Sequence, residues 1–135
     1  MARAFVFPGQ GSQAVGMGQA MAAAFPAARQ ALEEVDDALS QNLSRLMAQG
    51  PADELTLTEN AQPALMAVSL AVLRVLEAEA GVDMETSCNF VAGHSLGEYS
   101  ALAAARGLDI ADAARLLESE FQLDSIDINM GCPAK

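Results

Sequence analysis

The sequence predicts an α/β fold with parallel strand pairing, and three features carry that prediction. Two short apolar runs, Ala4-Phe5-Val6-Phe7 and Asn89-Phe90-Val91-Ala92, each end in a glycine-bearing turn, as buried strands feeding loops or helices do. Apolar residues between and after these runs recur at helical spacing, so strands alternate with helices. The longest apolar stretch, Ala64 to Val75, contains Ser69 and Arg74. It reads as a helix buried in the core and as too short to span a bilayer.

Each element follows from local chemistry. A strand is expected over residues 3–7, then a glycine-rich loop. Helices are expected over about 26–39 and 43–49, with Leu32, Val35 and Leu39 on one face of the first. Gly50-Pro51 interrupts the pattern, and Thr58 to Asn60 stand where they would cap a long helix ending near Gly81. The second strand leads into a helix from Leu96 to Ala105, stopped at Gly107. Asp109 is placed to cap a last helix running to about Glu118. Residues 20–31 are alanine-rich, but no repeat or low-complexity tract appears.

Composition bounds the function. At 135 residues and 52% hydrophobic, the chain makes at most one domain, and without tryptophan its core must use Ala, Leu, Val and Met. Seven Lys+Arg against eighteen Asp+Glu give a net charge of −11. That argues against nucleic acid or an anionic membrane as partner, since phosphate binding needs basic patches. The cluster Glu33, Glu34, Asp36 and Asp37 reads as a solvated helix face. Cys88 and Cys132 form no C-x-x-C pair, which fits a reducing cytoplasm, and Cys88 reads as a small buried filler. Met1-Ala2-Arg3 leads into too few apolar residues for a signal peptide. No metal ligand set is assigned.

Two motifs carry chemistry. Gly93-His94-Ser95-Leu96-Gly97 lies between the second strand and an alanine-rich helix, the context a G-x-S-x-G nucleophile elbow requires. The turn strains the serine backbone, and glycines two residues to either side keep side chains out of the crowded space. The hydroxyl then faces the N-terminus of the next helix, where negative charge on a substrate oxygen is stabilised. The bland alternative is an ordinary strand-to-helix turn.

Pro8-Gly9-Gln10-Gly11-Ser12-Gln13 follows the first strand. Gly9, Gly11 and Ala14 meet a loose dinucleotide fingerprint, but the acidic residues about twenty positions on, Glu33 and Glu34, lie in a helical pattern. Gly11 and Gly16 have P-loop spacing, with Met17 and Gly18 where Lys and Ser/Thr are needed. Both nucleotide readings fail. What remains is a loop able to offer the Gln10 N–H beside a strand end, as the second donor of an oxyanion hole.

These residues, with Val15-Gly16-Met17-Gly18, Gln62-Pro63-Ala64-Leu65 and Glu98-Tyr99-Ser100-Ala101-Leu102, resemble the malonyl-CoA:acyl carrier protein transacylase family over about residues 3–118. The resemblance implies an incomplete, hydrolase-like parallel α/β core without the family's ferredoxin-like subdomain. It implies that Ser95 is the nucleophile, that Leu96 and Gln10 supply the oxyanion hole, and that malonyl-CoA and acyl carrier protein are partners. Coenzyme A enters as a thioester substrate, with no resident cofactor. The chemistry is double displacement through an acyl-serine.

Departures accompany the resemblance. The family's histidine base lies further along than these residues reach. His94, the single histidine, adjoins Ser95 across a sharp elbow, where neighbouring side chains do not readily meet, so it reads as packing or bracing. Glu120 stands where the family clamps the malonyl carboxylate with arginine, and like charge there repels. Residues 119–135 form a separate expected segment. Within it, Ile126 to Lys135 resembles the active-site strand of tRNA-dihydrouridine synthases, with Asn129 and Cys132 at reactive places. About a dozen residues cannot build that family's barrel of about 250. Three readings therefore stand: an acyltransferase with nucleophile and hole but without base and clamp, a serine esterase or thioesterase, and a non-catalytic fragment.

Overall fold

The computed structural model describes residues 2–122. In chain order its elements are β1 (Ala4–Phe7), α1 (Gln19–Ala24), α2 (Pro26–Leu39), α3 (Leu43–Gln49), α4 (Ala52–Thr56) and α5 (Thr58–Ala80). They continue with α6 (Met84–Ser87), β2 (Phe90–Gly93), α7 (Gly97–Ala104) and α8 (Ile110–Gln122). The strands pair in parallel, Ala4 opposite Phe90 through Phe7 opposite Gly93. The predicted α/β architecture holds, with helices dominating a small parallel sheet.

Helix ends follow capping chemistry. Pro26 opens α2, where its missing N–H is harmless, and Gly81 ends α5 in the left-handed conformation at φ 64°. The Asp109 carboxylate accepts the Asp112 N–H at 2.7 Å at the start of α8, as expected. Thr58 to Asn60 do not cap α5. They are its first helical residues, Leu57 precedes them with no side-chain cap, and Asn60 is committed elsewhere. Its side chain donates to the Glu54 carbonyl at 2.9 Å and accepts from Gln41 Nε2 at 3.0 Å. The last helix also runs past Glu118 to Gln122. The tail from residue 123 and the side chain of Glu120 lie outside the described residues.

The core gathers on α5, which packs against α2, α7 and α8. At 23 residues this helix is long and apolar enough to cross a bilayer, contrary to the length judged from sequence. Half of its most apolar stretch is nevertheless buried in the protein, so the reading as a core helix stands. Arg74 on α5 donates both guanidinium nitrogens to Glu34 on α2 at 2.7 Å. Those hydrogen bonds to the Glu34 carboxylate raise the Arg74 pKa above its ordinary value, against the opposing effect of burial. The acidic cluster is thus only partly a solvated face, since Asp36 also accepts the Ser44 N–H and hydroxyl.

The sheet has two unlike faces. Phe7 is buried, Phe5 and Val91 are half-buried, and α7 packs on both strands. On the other face Val6 is 73% and Phe90 65% exposed. Packing on the covered side is tight where α8 closes the core, with Leu117 fully buried. Leu117→Ala is expected to destabilise the chain by about 2–5 kcal/mol, the range for deleting a buried leucine side chain. Urea titration followed by circular dichroism measures this, and a loss well under 1 kcal/mol would contradict the packing described.

Candidate active site

The site is built where β1 and β2 end. His94 N–H donates to the Phe7 carbonyl at 3.2 Å, carrying the parallel pairing one residue past β2. The chain then turns sharply, with Gly97 N–H donating to the His94 carbonyl at 2.9 Å and Glu98 N–H to the Ser95 carbonyl at 2.9 Å. Ser95 sits at φ 54°, a left-handed conformation that non-glycine residues rarely adopt. The residue is exposed. The strained, outward serine expected from the motif is therefore present.

The flanking glycines have the steric reason anticipated. A Cβ on Gly93 would collide with the backbone of Gly97 and Glu98, and one on Gly97 would collide with the carbonyls of Phe7 and Pro8. A third glycine belongs with them. A Cβ on Gly9 would lie 2.7 Å from His94 Nδ1 and 2.8 Å from the His94 carbonyl oxygen. The glycine-rich loop thus lies directly against the elbow. Sequence alone did not reveal that contact, although glycine after Pro8 was its one local signal.

The loop separates β1 from α1 over residues 8–18, so it does not run from strand straight into helix as a nucleotide fingerprint does. It is tied at the far end by Gly16 N–H donating to the Met47 carbonyl at 2.7 Å. The Gln10 side chain reaches Thr58 Oγ1 on α5 at 3.4 Å. The loop, the elbow and the start of α5, four residues before Gln62, are therefore assembled in one region. Gln62 itself is half-buried and Pro63 fully buried. Among the described residues, the N–H groups of Gln10 and Leu96 donate to no protein acceptor, while Leu96 is buried at the entry to α7. Two free donors beside a strained, exposed serine suit acyl transfer. No group of metal-binding side chains occurs among the described residues.

Comparison with known proteins agrees with this geometry. The acyl transferase domain family matches residues 4–120, and the chain belongs to that family. A malonyl CoA-acyl carrier protein transacylase of Bacillus subtilis is 46% identical over 133 residues, 97% of this chain and 40% of the relative. The crystal structure of an acyl-carrier-protein S-malonyltransferase from Bartonella henselae superposes with a TM-score of 0.85 at 61% identity, covering 87% of this chain and 37% of that one. A malonyl-transacylase solved in complex with a type II PKS acyl-carrier protein superposes at 0.82 with 44% identity, over 90% of this chain and 38% of that one. The chain thus spans about 40% of the length of these relatives.

The strain at Ser95 gives a direct test. Ser95→Gly should be more stable than Ser95→Ala by about 1 kcal/mol, the reverse of the usual order, because only glycine occupies φ 54° without penalty. Parallel urea melts of the two variants measure the difference, and an alanine variant as stable as the glycine variant would contradict the strained elbow.

Proposed function

We propose that the chain carries the nucleophile half of a malonyl-transfer site. The observation that carries the reading is the exposed Ser95 at φ 54° on the turn between β2 and α7. The Ser95 oxygen attacks the thioester carbon of malonyl-CoA, the carbon–sulfur bond breaks, and coenzyme A leaves as the thiol with the serine proton. The Leu96 and Gln10 N–H groups hold the oxyanion of the tetrahedral intermediate. The phosphopantetheine thiol of acyl carrier protein then attacks the ester, the carbon–oxygen bond breaks, and the proton returns to Ser95. No resident cofactor is needed, and a cytoplasmic setting supplies both partners.

The related malonyl CoA-acyl carrier protein transacylases, and the complex of one malonyl-transacylase with an acyl-carrier protein, support this substrate pair. The net charge of −11 opposes long-range attraction of either partner, so recognition must be local. A separate origin for residues 119–135, including Asn129 and Cys132, is part of the proposal. The family match ending at residue 120 supports it, although the Bacillus subtilis relative aligns over 133 residues and α8 continues through Gln122.

Incubation with malonyl-CoA, followed by intact-mass and peptide analysis, tests the proposal. One malonyl adduct is expected on Ser95 and none in Ser95→Ala. With His94 the single histidine of the 135 residues, its formation should be slow, on the order of 10⁴–10⁶ below a serine paired with a base. Carrier-protein thiol should discharge it faster than water does. Absence of an adduct would overturn the proposal, and discharge by water alone would favour the esterase reading.

A further inference from the structure

His94 touches both halves of the candidate site. Its N–H is bonded to Phe7, the last residue of β1, and its carbonyl to Gly97, the first residue of α7. The three atoms nearest a Cβ on Gly9 all belong to His94, with imidazole Nδ1 first at 2.7 Å. The imidazole therefore lies against the Gly9 backbone, one residue before Gln10. Beyond Gly9 the Gln10 side chain reaches Thr58 Oγ1 at 3.4 Å, and the loop is otherwise largely exposed. Gln10, Gly11, Ser12, Ala14 and Val15 are exposed, a Cβ on Gly11 would meet nothing within 4 Å, and the next backbone anchor is Gly16 on Met47.

We propose that His94 is a positioning residue whose imidazole, seated on Gly9, sets the separation between the Gln10 and Leu96 N–H groups. The inference rests on reading those groups as the oxyanion donors. Two donors stabilise one oxyanion only when both lie about 2.7–3.1 Å from the same oxygen, and here they come from segments far apart in sequence. The backbone pairing at Phe7 fixes where the segments meet. The imidazole, with the His94 carbonyl oxygen beside it, limits how closely the loop then approaches, so it acts on the placement of Gln10 while Leu96 stays with α7. Misplacement on the scale of 1 Å lowers rate by about 10²-fold in well-organised sites. The effect falls on the limiting rate more than on substrate binding, because the oxyanion forms during reaction.

The test uses the full 135-residue chain, labelled with ¹⁵N. His94→Ala should move the amide signal of Gln10 as well as that of neighbouring Leu96, while signals of Val35 and Leu117 stay in place. His94→Gln, which restores bulk over Gly9 without an imidazole, should return Gln10 most of the way. Gly9→Ala, which pushes the loop off from the other side, should move the same pair and serves if His94→Ala does not fold. In single-turnover acylation by malonyl-CoA, His94→Ala should lower the limiting rate by about 10²-fold with little change in half-saturation, and His94→Gln should recover most of it. A Gln10 signal unmoved by both His94→Ala and Gly9→Ala would overturn the inference. So would a His94→Gln rate as low as that of His94→Ala, which would make the imidazole a proton acceptor. Failure of the unmodified chain to acylate would instead sink the functional proposal, with the amide signals still deciding the role of His94.

Discussion

Close approach of two backbones at the ends of β1 and β2 is the constraint on which the rest of the site depends. The Phe7 carbonyl receives the His94 N–H, the Gly97 Cα packs under the carbonyls of Phe7 and Pro8, and Gly9 packs against His94. A Cβ would collide at Gly9, at Gly97 and at Gly93, which lies against the backbone of Gly97 and Glu98, so three glycines are required for a steric reason that differs at each position. Parallel pairing alone would align the strands. It is the missing side chains that let the two connections continue together after the strands end, and that bring Gln10 into the neighbourhood of Leu96 and Ser95.

The strained serine follows from that arrangement. A residue at φ 54° persists only where its surroundings over-determine it. Here Gly97 and Glu98 bond back to His94 and Ser95 immediately after the turn, and α7 is pinned on the covered sheet face. The helical layer supplies the rigidity behind it. α5 is packed by α2, α7 and α8, with Arg74 and Glu34 tying α5 to α2. That ion pair is about one-third exposed on both partners, so it contributes modestly beside the apolar core.

The sequence made the site more legible than its supports. Glycine, serine and glycine at fixed offsets between an apolar run and an alanine-rich helix are dictated by local sterics, so strand, elbow and helix were readable from residues 89–105 alone. The Asp109 cap was readable for the same reason. Contacts between distant segments were not. Glu34 sat in what looked like a solvated acidic face until Arg74, forty residues on, was placed beside it. Thr58 to Asn60 had capping side chains, but Asn60 is drawn away by Glu54 and Gln41. The helices α1, α4 and α6 have at most six residues, too few for a periodic signal. Membership in the acyl transferase domain family was legible because four motifs fell in register, whereas the seating of His94 on Gly9 needed the fold.

Amide hydrogen exchange across residues 5–10 and 91–97 addresses the central claim most directly. If the strand pairing carries on into the elbow and leaves two donors free, the His94 amide exchanges as slowly as the paired amides of β2. The Gln10 and Leu96 amides then exchange orders of magnitude faster than His94. Slow exchange at Gln10 and Leu96, or fast exchange at His94, would contradict the account.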